Sequence, residues 1–183
     1  MAVVAGCGGS DPVPAPPTAT ADLSGVRPIG HQARFHLPVG RGIVVPDCRR
    51  TLGRRLGVHL ELFGEGLVAL FPAGIGTRPP REVSGGRIDT ARCYGALVTI
   101  DPTGLVLLRP GTNATVGDVF DRWGQPLDGG RASAFAGPVR VYVNGSRVAG
   151  SPRDVPLRHH DEIVLEVGPF VPPHRTYVFP AGW

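Results

Sequence analysis

The side chains in this sequence that could do chemistry are histidines set beside carboxylates, and three cysteines. Imidazole binds zinc or copper through a ring nitrogen, so His59, in Gly57-Val58-His59-Leu60, and the run His159-His160-Asp161-Glu162 are the metal-ligand candidates, with His174 further along the chain. Consecutive residues of a strand or turn point to different faces, so the four side chains of that run cannot converge on one ion. The run is read as a turn before the last strand, with Asp161 and Glu162 satisfying turn amides. Asp118 and Asp121 stand three apart and could share a helix face, where paired carboxylates are solvated rather than catalytic. His31 and His36 flank Arg34 and are read as anchoring or exposed rather than ligating. The sequence holds no Gly-x-Ser-x-Gly, no phosphate-binding loop and no dinucleotide fingerprint. No catalytic residue is therefore assigned, no cofactor is expected, and metal ligation by His59, His159 and His160 remains the weaker alternative.

The cysteines point to a compartment. Val4-Ala5-Gly6-Cys7 is the pattern cut by a lipoprotein signal peptidase, small side chains letting the extended backbone reach the site before Cys7 is lipidated. A usual signal supplies a basic segment and an apolar run upstream, and only Met1 to Gly6 precede the cysteine here, so this reading expects an upstream start. Gly8 to Ser24 is built mainly from Gly, Ser, Pro, Ala and Thr, which bury no core and suit a tether. The alternative is a free thiol in a disordered tail. With Cys7 assigned to lipid, Cys48 and Cys93 are left as a pair that could close a disulfide outside the cytoplasm, the alternative being two buried thiols. No Cys-x-x-Cys occurs, so thioredoxin-like redox chemistry and a structural zinc cluster lack their ligands.

These groups need elements to hold them. A chain of 183 residues suits a tether over 1–30 and one domain over 31–183. All 19 basic residues are arginine, and Gly (27) and Pro (20) are both abundant, a bias that reflects a GC-rich genome more than a partner. The net charge of +4 is spread along the chain except at Arg49, Arg50, Arg54 and Arg55. Without interleaved aromatics that cluster reads as solvated surface, and no nucleic-acid partner is expected. No run of eighteen apolar residues occurs, so no helix spans a membrane.

Val58 to Phe71 predicts a β-hairpin turning on Gly64-Glu65-Gly66. Residues 96–100 and 105–108 predict a second, joined by Asp101-Pro102-Thr103-Gly104. Val116, Val119, Phe120 and Trp123 stand at helical spacing between a Thr115 cap and a Gly124 stop. The helix cap also accounts for Thr115 in the sequon Asn113-Ala114-Thr115. Val139 to Val143, Asn144-Gly145 and Ser146 to Val148 predict a third hairpin, and Glu162 to Val167 a last strand.

Hairpin, helix, strand, turn and strand over 96–168 resemble the β-grasp (ubiquitin-like) fold. The expected class is therefore α+β and β-rich, an N-terminal hairpin followed by a β-grasp unit with one helix on a mixed sheet and an extended tail over 169–183. Val141 to Val148 and Leu157 to Gly168 look like the ending of small sulfur-carrier β-grasp proteins. Carriers need a flexible Gly-Gly terminus, whereas this chain continues to Pro180-Ala181-Gly182-Trp183.

Val58 to Gly76, Thr115 to Leu127 and Val139 to Gly168 also resemble an uncharacterised family of bacterial exported proteins. That resemblance implies a metal site from a His-x-His pair entering the first hairpin and a His-Thr-His-Asp motif on the second. Here Gly57-Val58-His59-Leu60 keeps one histidine of the pair. Val98-Thr99-Ile100-Asp101 carries aliphatic residues at both histidine positions of the motif, and Leu107 replaces a further one. The resemblance thus implies a family metal site lost in this member.

The expectation from these observations is an extracytoplasmic lipoprotein, held to the membrane through Cys7 and acting as a non-catalytic binding or assembly module with an envelope protein partner. Sheet edges and the tail Pro172 to Trp183 would be its contact surfaces. The alternative is an envelope metal-handling or metal-dependent protein using His59 and nearby histidines for copper or zinc.

Overall fold

The computed structural model describes residues 27–29 and 45–183. Cys7, the tether apart from Arg27–Ile29, His31 and His36 lie outside the described residues. The elements in chain order are β1 (Arg27–Ile29), β2 (Leu56–Gly64), β3 (Leu67–Ala69), β4 (Thr77–Ser84), β5 (Arg87–Tyr94), β6 (Leu97–Val98), β7 (Leu105–Leu108), α1 (Val116–Trp123), β8 (Leu127–Asp128), β9 (Arg131–Ala132), β10 (Phe135–Ala136), β11 (Val139–Val143), β12 (Ser146–Val148) and β13 (Glu162–Val167). This is the expected α+β, β-rich class with one α-helix and a mixed sheet.

The main sheet runs β1-β3-β2-β13-β11-β12, with β7 also on β2 and β6 on β7. β2 and β13 are parallel neighbours at its centre; β3 and β7 pair antiparallel with β2, and β11 with β13. The hairpin expected over 96–108 forms as β6 and β7, but its sheet neighbour is β2, so the unit does not close within residues 96–168. The strand beside β13 is Leu56–Gly64, 40 residues before the expected boundary. Local propensity marks each strand but is silent on which distant strand it meets.

Both faces of the sheet are covered, and simple alternation decides which residues go where. Val58, Leu60 and Leu62 of β2, with Ile163, Leu165 and Val167 of β13, face α1, which buries Val116, Val119, Phe120 and Trp123. Phe71 packs edge-on to Phe120, ring centres 5.9 Å apart. Thr115 and Asp118 form a reciprocal capping box, and Gly124 ends the helix at φ 75°. On the opposite face Phe63, Tyr142 and Val164 pack with Val171, where the chain turns back across the sheet.

Asn144 and Gly145 both take positive φ (52° and 77°), as the type I′ turn requires. The polar hairpin β4–β5 stands apart from the main sheet. It is tied to the body by the Cys48–Cys93 disulfide, Cα atoms 5.5 Å apart, and by backbone bonds between Arg49 and Tyr94. No helix among the described residues is long and apolar enough to cross a membrane.

Candidate functional site

His59 and Glu162 are register partners on the parallel pair β2–β13, so their side chains leave the sheet side by side on the face away from α1. Glu61, two residues along β2, shares that face. The turn between β6 and β7 closes one side: Leu60 N–H donates to the Gly104 carbonyl, 3.0 Å, and His59 Nε2 lies 2.8 Å from the Thr103 carbonyl. Gly104 has φ +84°, and a Cβ there would collide with the Leu60 carbonyl, so this approach of turn to strand requires glycine. The C-terminal segment closes the other side. Tyr177 stacks on the His59 ring, 3.7 Å between centres and 8° between planes, and His174 Nδ1 lies 2.7 Å from Glu61 Oε2.

A cleft of about 460 Å³ opens here, lined by His59, Glu61, Glu162, His174 and Tyr177 among others, with apolar walls from Val68 and Phe71. A carbonyl oxygen only accepts, so Nε2 of His59 carries a hydrogen, and the Nδ1 edge faces Glu162 Oε2 at 2.7 Å. Burial opposes charge on His59, but the hydrogen bond and negative charge of Glu162 outweigh it and hold the imidazole pKa above its usual value. Burial likewise raises Glu162 above the usual carboxylate range, against the pull of His59. The pair thus holds one proton tightly between Nδ1 and Oε2. The other carboxylate oxygen, Glu162 Oε1, is buried with no hydrogen-bond partner, in a residue 1% exposed. Ligand atoms of His59, Glu61 and Glu162 lie within 4.8 Å of one another.

Comparison with protein families, with curated proteins and with solved structures finds no match to this chain. The site therefore has to be read from its own chemistry.

Of the sequence-predicted metal candidates, His59 and His174 are in this site, and His159 and His160 are not. His159 and His160 stack on each other at 3.7 Å, and His160 Nε2 contacts the Trp183 carbonyl, 2.8 Å, with Phe179 against its ring. They hold the end of the chain. His174 joins the site from the tail; of the two carboxylates, Glu162 was weighed within His159-His160-Asp161-Glu162 and read as a turn residue, and Glu61 was not singled out by sequence. Glu162 does not cap a turn through its side chain; it pairs with His59 across the sheet, while Asp161 Oδ1 accepts from Asn144. The available signal was charge on alternate positions of otherwise aliphatic strands: His59 and Glu61 on β2, Glu162 and Glu166 on β13.

Asp118 serves the helix cap and Arg122, and Asp121 pairs with Arg153, so neither is near this chemistry. The tail turns inward: Tyr177 and Phe179 are partly buried against the body, leaving Phe170 and Val178 as its exposed large apolar side chains. The arginine cluster also divides. Arg49, Arg50 and Arg54 are exposed as expected of solvated surface, but Arg55 is 2% exposed and donates to the Leu52, Gly95 and Ala96 carbonyls.

Proposed function

We propose that the protein is a non-catalytic binding module of the cell envelope, tethered through lipidated Cys7, and that its cleft binds a divalent transition-metal cation, zinc or copper. The observation that carries the metal reading is Glu162 Oε1, a buried carboxylate oxygen without a partner, beside a histidine whose far nitrogen is fixed on a carbonyl. A buried acceptor left unbonded is costly, and a cation between Glu162, Glu61 and Nδ1 of His59 would remove that cost. Metal-ligating histidines usually donate their other ring N–H to a carbonyl or carboxylate, and the bond from Nε2 to Thr103 is of that kind. His174, held on Glu61 and lining the same cleft, brings a second imidazole beside them. Two imidazoles and two carboxylates suit zinc or copper better than calcium or magnesium. This set is not the one the family resemblance implies: it keeps His59 and takes its other ligands from β2 itself, β13 and the tail.

The tether reading rests on Val4-Ala5-Gly6-Cys7 and the composition that follows it. The disulfide supports an oxidising compartment outside the cytoplasm. One helix across a mixed sheet, after an opening hairpin, supports a β-grasp frame whose first hairpin is β2–β3 rather than β6–β7.

The test is competition of the purified chain against a chromophoric chelator for zinc and copper. One equivalent should bind, and Glu162→Gln, which keeps the shape and one acceptor, should weaken binding at least tenfold. His59→Ala should abolish it, while His159→Ala should leave it unchanged. Equal affinity in wild type and Glu162→Gln, or no binding at all, would remove the metal reading.

A further inference from the structure

A second cleft, of about 630 Å³, shares no lining residue with the first. It lies beside Cys48 and is bordered by Arg49, Arg109 and Arg122, with Thr112 and Asn113 on the turn after β7. Its wall includes Ala96, whose carbonyl accepts from Nη1 of the buried Arg55 at 3.1 Å.

Three arginines and one aspartate, Asp47, thus line one concavity, with the buried Arg55 bonded to the carbonyl of its Ala96 wall. Among the described residues no carboxylate pairs with Arg49, Arg55 or Arg109; Arg122 alone is compensated, by Asp118 at 3.1 Å. Asp47 borders the cleft but meets Arg109 through its backbone carbonyl, 2.9 Å from Nη2. Arg55 is the sharpest case, because its Nη2 is buried and has no hydrogen-bond partner. Buried charges in proteins are ordinarily paired, and an uncompensated one is expensive. Burial first, and then the neighbouring charges of Arg109 and Arg49, lowers the Arg55 pKa to about 10. The arginines lining this pocket outnumber its one acidic lining residue, Asp47.

We infer that this cleft is an anion site and that its ligand is a phosphoryl group. Arg49, Arg109 and Arg122 approach from three separate elements, which suits a tetrahedral dianion with oxygens in several directions. One planar carboxylate would be satisfied by a single arginine. The Thr112 hydroxyl and Asn113 amide add neutral donors at the rim. Arg55, behind the Ala96 wall, acts through its field. The phosphoryl group is either free in solution or carried on an anionic lipid headgroup.

The test uses the whole purified chain, with inorganic phosphate in calorimetry and with phosphatidylglycerol against phosphatidylcholine vesicles in co-sedimentation, at fixed ionic strength. Binding of phosphate alone identifies a soluble phosphoryl ligand. Binding of phosphatidylglycerol vesicles alone identifies a headgroup, and either result sustains the site. Arg109→Gln should weaken whichever binding occurs at least tenfold. Because Arg109 also holds the Asp47 and Tyr94 carbonyls, Arg49→Gln, exposed and bonded through its backbone, serves as the second variant. Arg147→Gln, on exposed β12 and outside the cleft, removes the same net charge and should change nothing. Equal loss in Arg147→Gln and Arg49→Gln would mean attraction by diffuse charge and would overturn the site. Failure of the wild type to bind either probe would overturn it as well.

Discussion

Two buried glutamates on β13 show how differently one residue type is used. Glu162 faces histidine, glutamate and an open cleft, whereas Glu166 faces Arg140, with Nε 3.2 Å from Oε2 and the carboxylate fully buried. Burial is the largest influence on Glu166 and outweighs Arg140, so its pKa is raised. A carboxyl whose folded pKa exceeds the unfolded value contributes stability that is fully present below about pH 4.3 and is lost as pH rises through the folded value. Glu166→Gln is therefore expected to unfold at higher denaturant concentration than wild type at pH 7, and the two should converge towards pH 4. Arg140 keeps the Gly168 and Pro169 carbonyls after the change, so little is stranded. A lower midpoint for Glu166→Gln at pH 7 would show that the ion pair outweighs the burial. His59 was a candidate through the family resemblance, as the one histidine of the His-x-His pair that this sequence keeps. The role of Glu162 was not legible, because it depends on a partner 103 positions away, and a strand's own letters do not carry its register with another.

At the scale of elements, what could be read locally was read correctly: the glycine turns, the Thr115 cap, the Asn144-Gly145 turn and the spacing of α1. The hairpin β4–β5 escaped because Thr77–Ser84 is largely exposed and holds Pro79 and Pro80, residues that argue against a strand. Strands β8, β9 and β10 have two residues each, too few to show any period. The helix offers the sharpest test of packing. Phe120 is fully buried between Phe71 and Trp123, whereas Asp121 carries an exposed ion pair to Arg153. Phe120→Ala is expected to cost about 3–5 kcal/mol in equilibrium unfolding, since the rigid sheet leaves a cavity. Asp121→Ala should cost under about 1 kcal/mol, the usual worth of an exposed pair. Similar losses at both positions would contradict the orientation of α1.

At the scale of the molecule, the Cys48–Cys93 bond closes a loop with a sequence separation of 45 residues that contains β2, β3, β4 and most of β5. In the chain-entropy model such a closure stabilises by about 4 kcal/mol. Reduction should therefore lower the unfolding midpoint sharply, and mass analysis of unreduced protein should find neither cysteine open to alkylation. Labelling of both in the native, unreduced state would contradict the bond. The pairing was legible once Cys7 had been set aside, and the polar hairpin it ties down was not.

The same bond has a mechanical side. If the chain hangs from a membrane by Cys7, a pull meets the sheet first at β1, paired with β3, and once β1 is detached it enters at Cys48 and crosses directly to Cys93. With β1 detached, the residues between carry no tension while the disulfide is intact. β2, with His59 and Glu61, lies inside that shielded loop, so its neighbours can be stripped away but it cannot be drawn out straight. About 150 Å of contour stays locked, which is the extended reach of the 45 residues spanned by the bond. On the tethered reading proposed above, the strand that carries His59 and Glu61 would thus be sheltered from drag on its own leash.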